Sequence, residues 1–176
     1  VLAVGTLNER KNLGVLIDAF AQVAQRDRET RLVIVGAPDR DAERIRERIC
    51  DLGIEERAVL LGFASDAELS GIVAGARVLV FPSLFEGYGM PVAEAMAAGT
   101  PVIASSAPSI DEACGGAAVR FDPRDGKVLA ASLASLLGSE RERTALIESG
   151  RAFAETRRWD ASGEAFAMAL GETIAG

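Results

Sequence analysis

Pro82-Ser-Leu-Phe-Glu-Gly-Tyr-Gly-Met-Pro-Val-Ala-Glu-Ala-Met-Ala-Ala-Gly-Thr-Pro-Val-Ile-Ala-Ser105 follows directly on the apolar run Val78-Leu-Val-Phe81. Val78 to Phe81, closed by a proline, reads as a buried strand. Glu86 to Met90 is a glycine-rich loop, and a helix is expected to begin at Pro91, because proline is favoured in a first helical turn. Val102 to Ala104 is the next strand. Strand, loop, helix and strand in that order form a crossover between parallel strands.

The same alternation extends in both directions. Upstream, Val1 to Val4 is a short apolar strand ended by Gly5, and Leu13, Leu16, Ile17, Phe20 and Val23 recur at helical spacing. Leu32 to Val35 is a second strand. Residues 39–52 carry Ile45, Ile49 and Leu52 on one face of a polar helix that Gly53 ends. Val59 to Leu61 is the third strand, and Asp66 to Gly75 a short helix with Asp66 as its expected cap. Downstream, Ala117 to Phe121 is a sixth strand, and from Pro123 the chain reads as helical to about residue 175, with breaks near Gly138, Gly150 and Trp159. The expected fold is α/β: a Rossmann-like, doubly wound parallel sheet of about six strands with helices on both faces. No repeat or linker divides the 176 residues, which read as one domain.

Composition narrows the function classes. An apolar fraction of 49% with only 5% aromatic residues suits helices packed on buried strands and excludes a disordered chain. A net charge of −7 argues against a nucleic-acid partner. Cys50 and Cys114, far apart in helical contexts, make no disulfide framework, and a reducing, cytoplasmic location is expected. No apolar run is long enough to span a bilayer, and the chain opens in a strand rather than a signal peptide, as though at a domain boundary. Histidine is absent, which removes His-based general bases and metal sites.

Ligands of such sheets bind beyond the carboxyl ends of the strands, and three loops expected at that edge hold unusual residues. In Gly5-Thr-Leu-Asn-Glu-Arg-Lys-Asn12, Arg10 and Lys11 stand just before or within the first turn of a helix. Cations there oppose the helix dipole; a bound anion would account for them, and two solvated surface cations are the alternative. In the second loop, Gly87 and Gly89 let a backbone approach a ligand. Glu94, expected in the first turn of the following helix, would reach back to ligand hydroxyls or else merely complement the dipole. The third loop, Gly62-Phe-Ala-Ser-Asp66, offers a flat ring a place against apolar atoms, although Phe63 reads equally as a core or loop anchor. Asp39 and Asp41 have the spacing of a metal-binding pair, but capping of the helix they precede is the expected role. Ser83, Ser105 and Ser106 lie near strand ends, and without histidine they form no hydrolase triad.

Taken together these residues resemble the retaining glycosyltransferases of GT-B architecture called glycosyltransferases group 1, and their mannosyltransferase-like members in particular. The likeness runs from Val4 to Leu13, through Leu32 to Gly36 and Leu61 to Phe63, to Pro82 to Ser105. It continues into Pro108 to Glu112, Cys114-Gly-Gly116 and Asp122-Pro123. Glu86 and Glu94, seven residues between them in a glycine-rich setting, carry it furthest.

The resemblance implies the C-terminal, donor-binding half of such an enzyme, its N-terminal acceptor domain lying outside this chain. Lys11 matches the lysine on the donor diphosphate, Glu94 the glutamate on the ribose and Glu86 the one facing the transferred sugar. Gly5, Thr6 and the loop Gly87, Tyr88, Gly89 and Met90 would meet phosphate and sugar, and Gly62 and Phe63 would border the base. Many relatives carry arginine where Thr6 stands, and Arg10 is the candidate for the missing cation. Lys11, Arg10 and Glu86 are thus the expected catalytic set. The implied donor is GDP-mannose, then UDP-glucose, a substrate rather than a cofactor, and neither cofactor nor metal is expected. Transfer would be of a hexose to a glycan or lipid-linked acceptor with retention, in polysaccharide biosynthesis. Peripheral contact with the inner membrane face would come through the acceptor domain. A non-catalytic sugar-nucleotide-binding or regulatory module and a sugar-nucleotide epimerase are the competing readings.

Overall fold

Short apolar runs, five of them ended by glycine, proline or serine and the sixth, Val119-Arg-Phe121, by Asp122, become the strands of one parallel sheet. A computed structural model describes residues 1–157 together with Gly163, Ala167 and Met168. Its strands are β1 (Leu2–Val4), β2 (Leu32–Val35), β3 (Ala58–Gly62), β4 (Leu79–Phe81), β5 (Val102–Ser105) and β6 (Val119–Phe121). They lie in the order β3-β2-β1-β4-β5-β6, all parallel. Between them run α1 (Leu13–Ala24), α2 (Ala42–Asp51), α3 (Asp66–Ala74), α4 (Met90–Ala98) and α5 (Pro108–Cys114), and α6 (Gly126–Gly138) and α7 (Glu140–Glu155) follow.

The four central strands are covered on both faces, which is why they read as continuous apolar runs rather than alternating. The edge strands differ, β3 leaving Val59 and Leu61 exposed and β6 carrying Arg120. One core joins Ala3, Ile34, Val80 and Ile103 to Leu16 and Phe20 of α1, Ile45 of α2 and Leu129 and Leu133 of α6. The other joins Leu2, Leu79 and Phe81 to Val73 of α3, Val92 and Met96 of α4 and Ile110 of α5, with Phe153 of α7 packed against it.

Several sequence expectations change in detail. Asp66 does not cap α3. Ser65 does, accepting from the Glu68 amide while the Glu68 carboxylate accepts from the Ser65 amide. That reciprocal box satisfies two free helix-end donors at once, which one aspartate does not. Asp41 takes the N-cap position of α2 without a side-chain capping bond, and Asp39 accepts instead from the Asn8 amide at 3.4 Å. The turn Glu9–Lys11 is 3-10, and α1 begins only after Asn12.

The break expected at Gly150 is absent, for that glycine lies inside α7. A Cβ there would come within 3.2 Å of Met96, so the residue is small to let α7 pack on α4. The helical context of Cys114 is α5, whose start at Pro108 the sequence does not mark. The break near Trp159 falls outside the described residues. No helix among the described residues is long and apolar enough to cross a membrane.

Candidate functional site

Strand order reverses between β1 and β4, which are neighbours whose following helices go to opposite faces. The loops leaving these two strands therefore diverge and open a crevice at the carboxyl edge. These are the loops carrying Arg10, Lys11 and Glu86.

The two loops are tied by charge. Lys11 Nζ donates to Glu86 Oε1 at 2.7 Å, and Arg10 Nη1 donates to Glu86 Oε2 and, at 3.2 Å, to the Phe85 carbonyl. Ser83 Oγ is the third donor to the carboxylate, reaching Oε1 at 2.7 Å. Burial pushes the Glu86 carboxyl up, but hydrogen bonds from Lys11 and Ser83, the Lys11 charge and the Arg10 bond outweigh it and hold it below the ordinary carboxylate range.

Lys11 is no solvated surface cation. It is 8% exposed, with its ammonium 4.9 Å from the centre of the Phe81 ring. Its stem runs against Gly5, where φ is +144° and a Cβ would come within 2.5 Å of the lysine Cε. Glycine at that position is what lets the lysine reach the crevice. Arg10 is half-buried, its guanidinium 5.7 Å from the Phe85 ring centre.

Asn12 completes the frame. It holds the left-handed conformation (φ 51°) that asparagine tolerates better than most side chains. From there its amide donates to the carbonyls of Pro82 at 3.1 Å and Pro123 at 2.8 Å. The start of α1 is thereby strapped to the exits of β4 and β6. The sequence offered no role for Asn12; its place at the end of the Gly5–Asn12 stretch was the one available signal.

The remaining candidates line the same edge. Gly89 is the N-cap of α4 at φ 105°, with no side chain capping the helix, and Gly87 and Met90 are exposed beside it. Tyr88 is half-buried against the second core. Thr6 is exposed on the first loop. Glu94 lies in the second turn of α4, not the first, since the helix starts at Met90. Its carboxylate is exposed, so it neither caps the helix nor pairs locally.

Phe63 is 83% exposed and therefore no core anchor. It follows Gly62, whose carbonyl accepts from the Gly36 amide. Gly62 and Phe63 leave β3, two strands from β1, at the flank of the crevice. Asp39 and Asp41 gather no further ligand, and no group of three or more metal-binding side chains occurs among the described residues.

Comparison with known proteins agrees with this architecture. Residues 1–153 match the family described as Glycosyl transferases group 1. The MMP alpha-(1->4)-mannosyltransferase of Mycolicibacterium hassiacum is 38% identical over 145 residues, 80% of this chain and 34% of that protein. The crystal structure of the C-terminal domain of a glycosyl transferase group 1 family protein from Francisella tularensis superposes with a TM-score of 0.78. It has 21% identity and covers 88% of this chain and 84% of that one.

The Anabaena protein HepE, solved in complex with UDP, has a TM-score of 0.79 at 22% identity, over 98% of this chain and 48% of that one. The chain spans less than half the length of curated relatives such as the mannosyltransferase. With a doubly wound six-stranded sheet and the family match over most of its length, the chain belongs to the glycosyl transferases group 1 family and has the fold of a GT-B C-terminal domain.

Proposed function

We propose that this chain binds a nucleotide-diphosphate sugar as the donor half of a retaining hexosyltransferase. The observation that carries the reading is the buried Lys11 beside Arg10 at the β1/β4 crevice, held by Glu86 but with further N–H groups free for an anion. The diphosphate would lie against these cations and the Gly87–Met90 backbone, at the uncapped amino end of α4. Glu94, exposed and without a local partner, suits the ribose hydroxyls. Glu86 would face the sugar, and Gly62 and Phe63 would border the base.

Breaking the bond between the anomeric carbon and the diphosphate oxygen leaves positive charge on the sugar and negative charge on the departing phosphate. Lys11 and Arg10 meet the second of these, each such prearranged donor contributing about 3 kcal/mol to lowering the barrier. With two cations on the leaving group, the proposal needs no metal or other cofactor. The acceptor, a glycan or lipid-linked sugar, would be held by an N-terminal domain beyond this chain. Any association with the cytoplasmic face of a membrane would come through that domain.

GDP-mannose is the favoured donor, supported by a relative named as a mannosyltransferase. UDP-glucose is the second choice, supported by a neighbour solved with UDP. A thermal-shift screen of GDP, UDP and ADP against this chain tests the reading. At least one should stabilise the chain, increasingly with concentration. No shift with any of them at millimolar concentration would overturn it.

A further inference from the structure

Two serines at the ends of β4 and β5 are buried completely, in places where alanine would pack with no hydroxyl to satisfy. β4 and β5 pair as far as Phe81 and Ala104. Beyond that pair the β4 chain leaves through Pro82, which has no amide to continue the ladder. The Ser105 hydroxyl takes over, donating to the Ser83 carbonyl at 2.5 Å. The Ser83 hydroxyl then has one proton to give, and gives it to Glu86 Oε1 at 2.7 Å. The Glu86 amide in turn donates to Ser109 Oγ, on the first turn of α5, at 3.0 Å. Hydroxyls thus hold Glu86 by its side chain and by its backbone.

We propose that Ser83, pinned by Ser105, is the positioning residue that fixes the Glu86 carboxylate between Lys11 and Arg10. A carboxylate held only by two cations would follow them when they turned to another anion. With Ser83 on Oε1, Glu86 keeps its place while Lys11 and Arg10 give their remaining N–H groups to a ligand. Misplacement by about 1 Å is enough to weaken such a site. For the sugar nucleotide, the inference rests on the donor-site reading above; for the orientation of Glu86, it rests on geometry alone.

Carbon-13 NMR titration of the glutamate carboxyls, with Glu86 assigned from Glu86→Gln, reads the positioning without any ligand. The Glu86 midpoint should lie below that of ordinary glutamates in the wild type and rise in Ser83→Ala. It should rise less in Ser105→Ala, which keeps the Ser83 hydroxyl, and stay fixed in Ser106→Ala, an exposed neighbour. An unchanged midpoint in Ser83→Ala overturns the proposal.

Calorimetry with GDP-mannose and UDP-glucose supplies the second arm. Ser83→Ala should weaken the bound sugar nucleotide about 5-fold, and by less than about 2-fold when Glu86→Gln is already present. Equal losses in both backgrounds would show that Ser83 does not act through Glu86. If the wild-type chain binds neither sugar nucleotide, the donor-site reading fails, while the titration still decides the role of Ser83.

Discussion

Lys11 Nζ lies 2.7 Å from Glu86 Oε1, although 75 positions separate the two residues in the chain. The contact joins the loop leaving β1 to the loop leaving β4 at the point where strand order reverses. Arg10 closes on the second oxygen of the same carboxylate. Two positive charges and one negative leave the cluster with a single net positive charge at the mouth of the crevice.

Removing the buried ammonium should cost stability as well as binding. Lys11→Met leaves Glu86 with Arg10 and Ser83, so the loss should be about 2 kcal/mol, below the range of about 3–5 kcal/mol for a fully stranded buried charge. Urea denaturation of the two proteins checks this, and a loss under about 0.5 kcal/mol would show that the pair does not stabilise the fold.

Acid should weaken the same contact. The Glu86 carboxyl titrates lower in the folded chain than in the unfolded one, where a glutamate has a pKa of about 4.3. Its contribution is therefore present above that unfolded value and is lost as pH falls through the lower folded value. Stability of the wild type minus that of Glu86→Gln, measured by denaturation over a pH series, should shrink on acidification. A difference that grows towards low pH contradicts the assignment.

Two glycines should respond in opposite senses to alanine. At Gly36 a Cβ would come within 2.0 Å of the Gly5 carbonyl oxygen, where the β1 and β2 exits run side by side. Gly36→Ala should destabilise by about 3 kcal/mol or more, because backbone has to move. Gly14, exposed in the first turns of α1, has nothing within 4 Å of its Cβ direction. Gly14→Ala should stabilise by about 0.5 kcal/mol through helix propensity. Thermal unfolding of both variants separates the two outcomes.

Ser65→Ala removes the oxygen that accepts the Glu68 amide, and should destabilise the chain by about 1 kcal/mol. If Asp66 were the cap, Asp66→Ala would be the costlier change. Comparing the two by denaturation distinguishes the assignments.

The sheet was legible because β1 to β5 are apolar runs closed by a residue that ends them, and strict alternation with helices leaves a parallel arrangement. Arg10, Lys11 and Glu86 were legible as unusual residues in strand-to-helix loops, but their mutual contact was not, since no local rule joins positions 75 apart. Glu94 falls in the second turn rather than the first because the helix starts at Met90, one residue before the Pro91 that the sequence marks. Gly150 read as a breaker because its packing partner, Met96, is distant in sequence. Ser83 and Ser105 were set aside for want of a histidine, and only the fold brings their hydroxyls into line with Glu86.

The central claim is that Lys11 and Arg10 form a diphosphate cradle. Calorimetry comparing a nucleoside diphosphate with its monophosphate, GDP with GMP and UDP with UMP, tests it most directly in the wild type and in Lys11→Ala. The account predicts that the wild type prefers at least one diphosphate over its monophosphate by about 10-fold, the worth of one charge-assisted contact of about 1.4 kcal/mol, and that Lys11→Ala, which leaves Arg10 in place, lowers the preference. Equal affinity for diphosphate and monophosphate, or a preference left unchanged by Lys11→Ala, would contradict it.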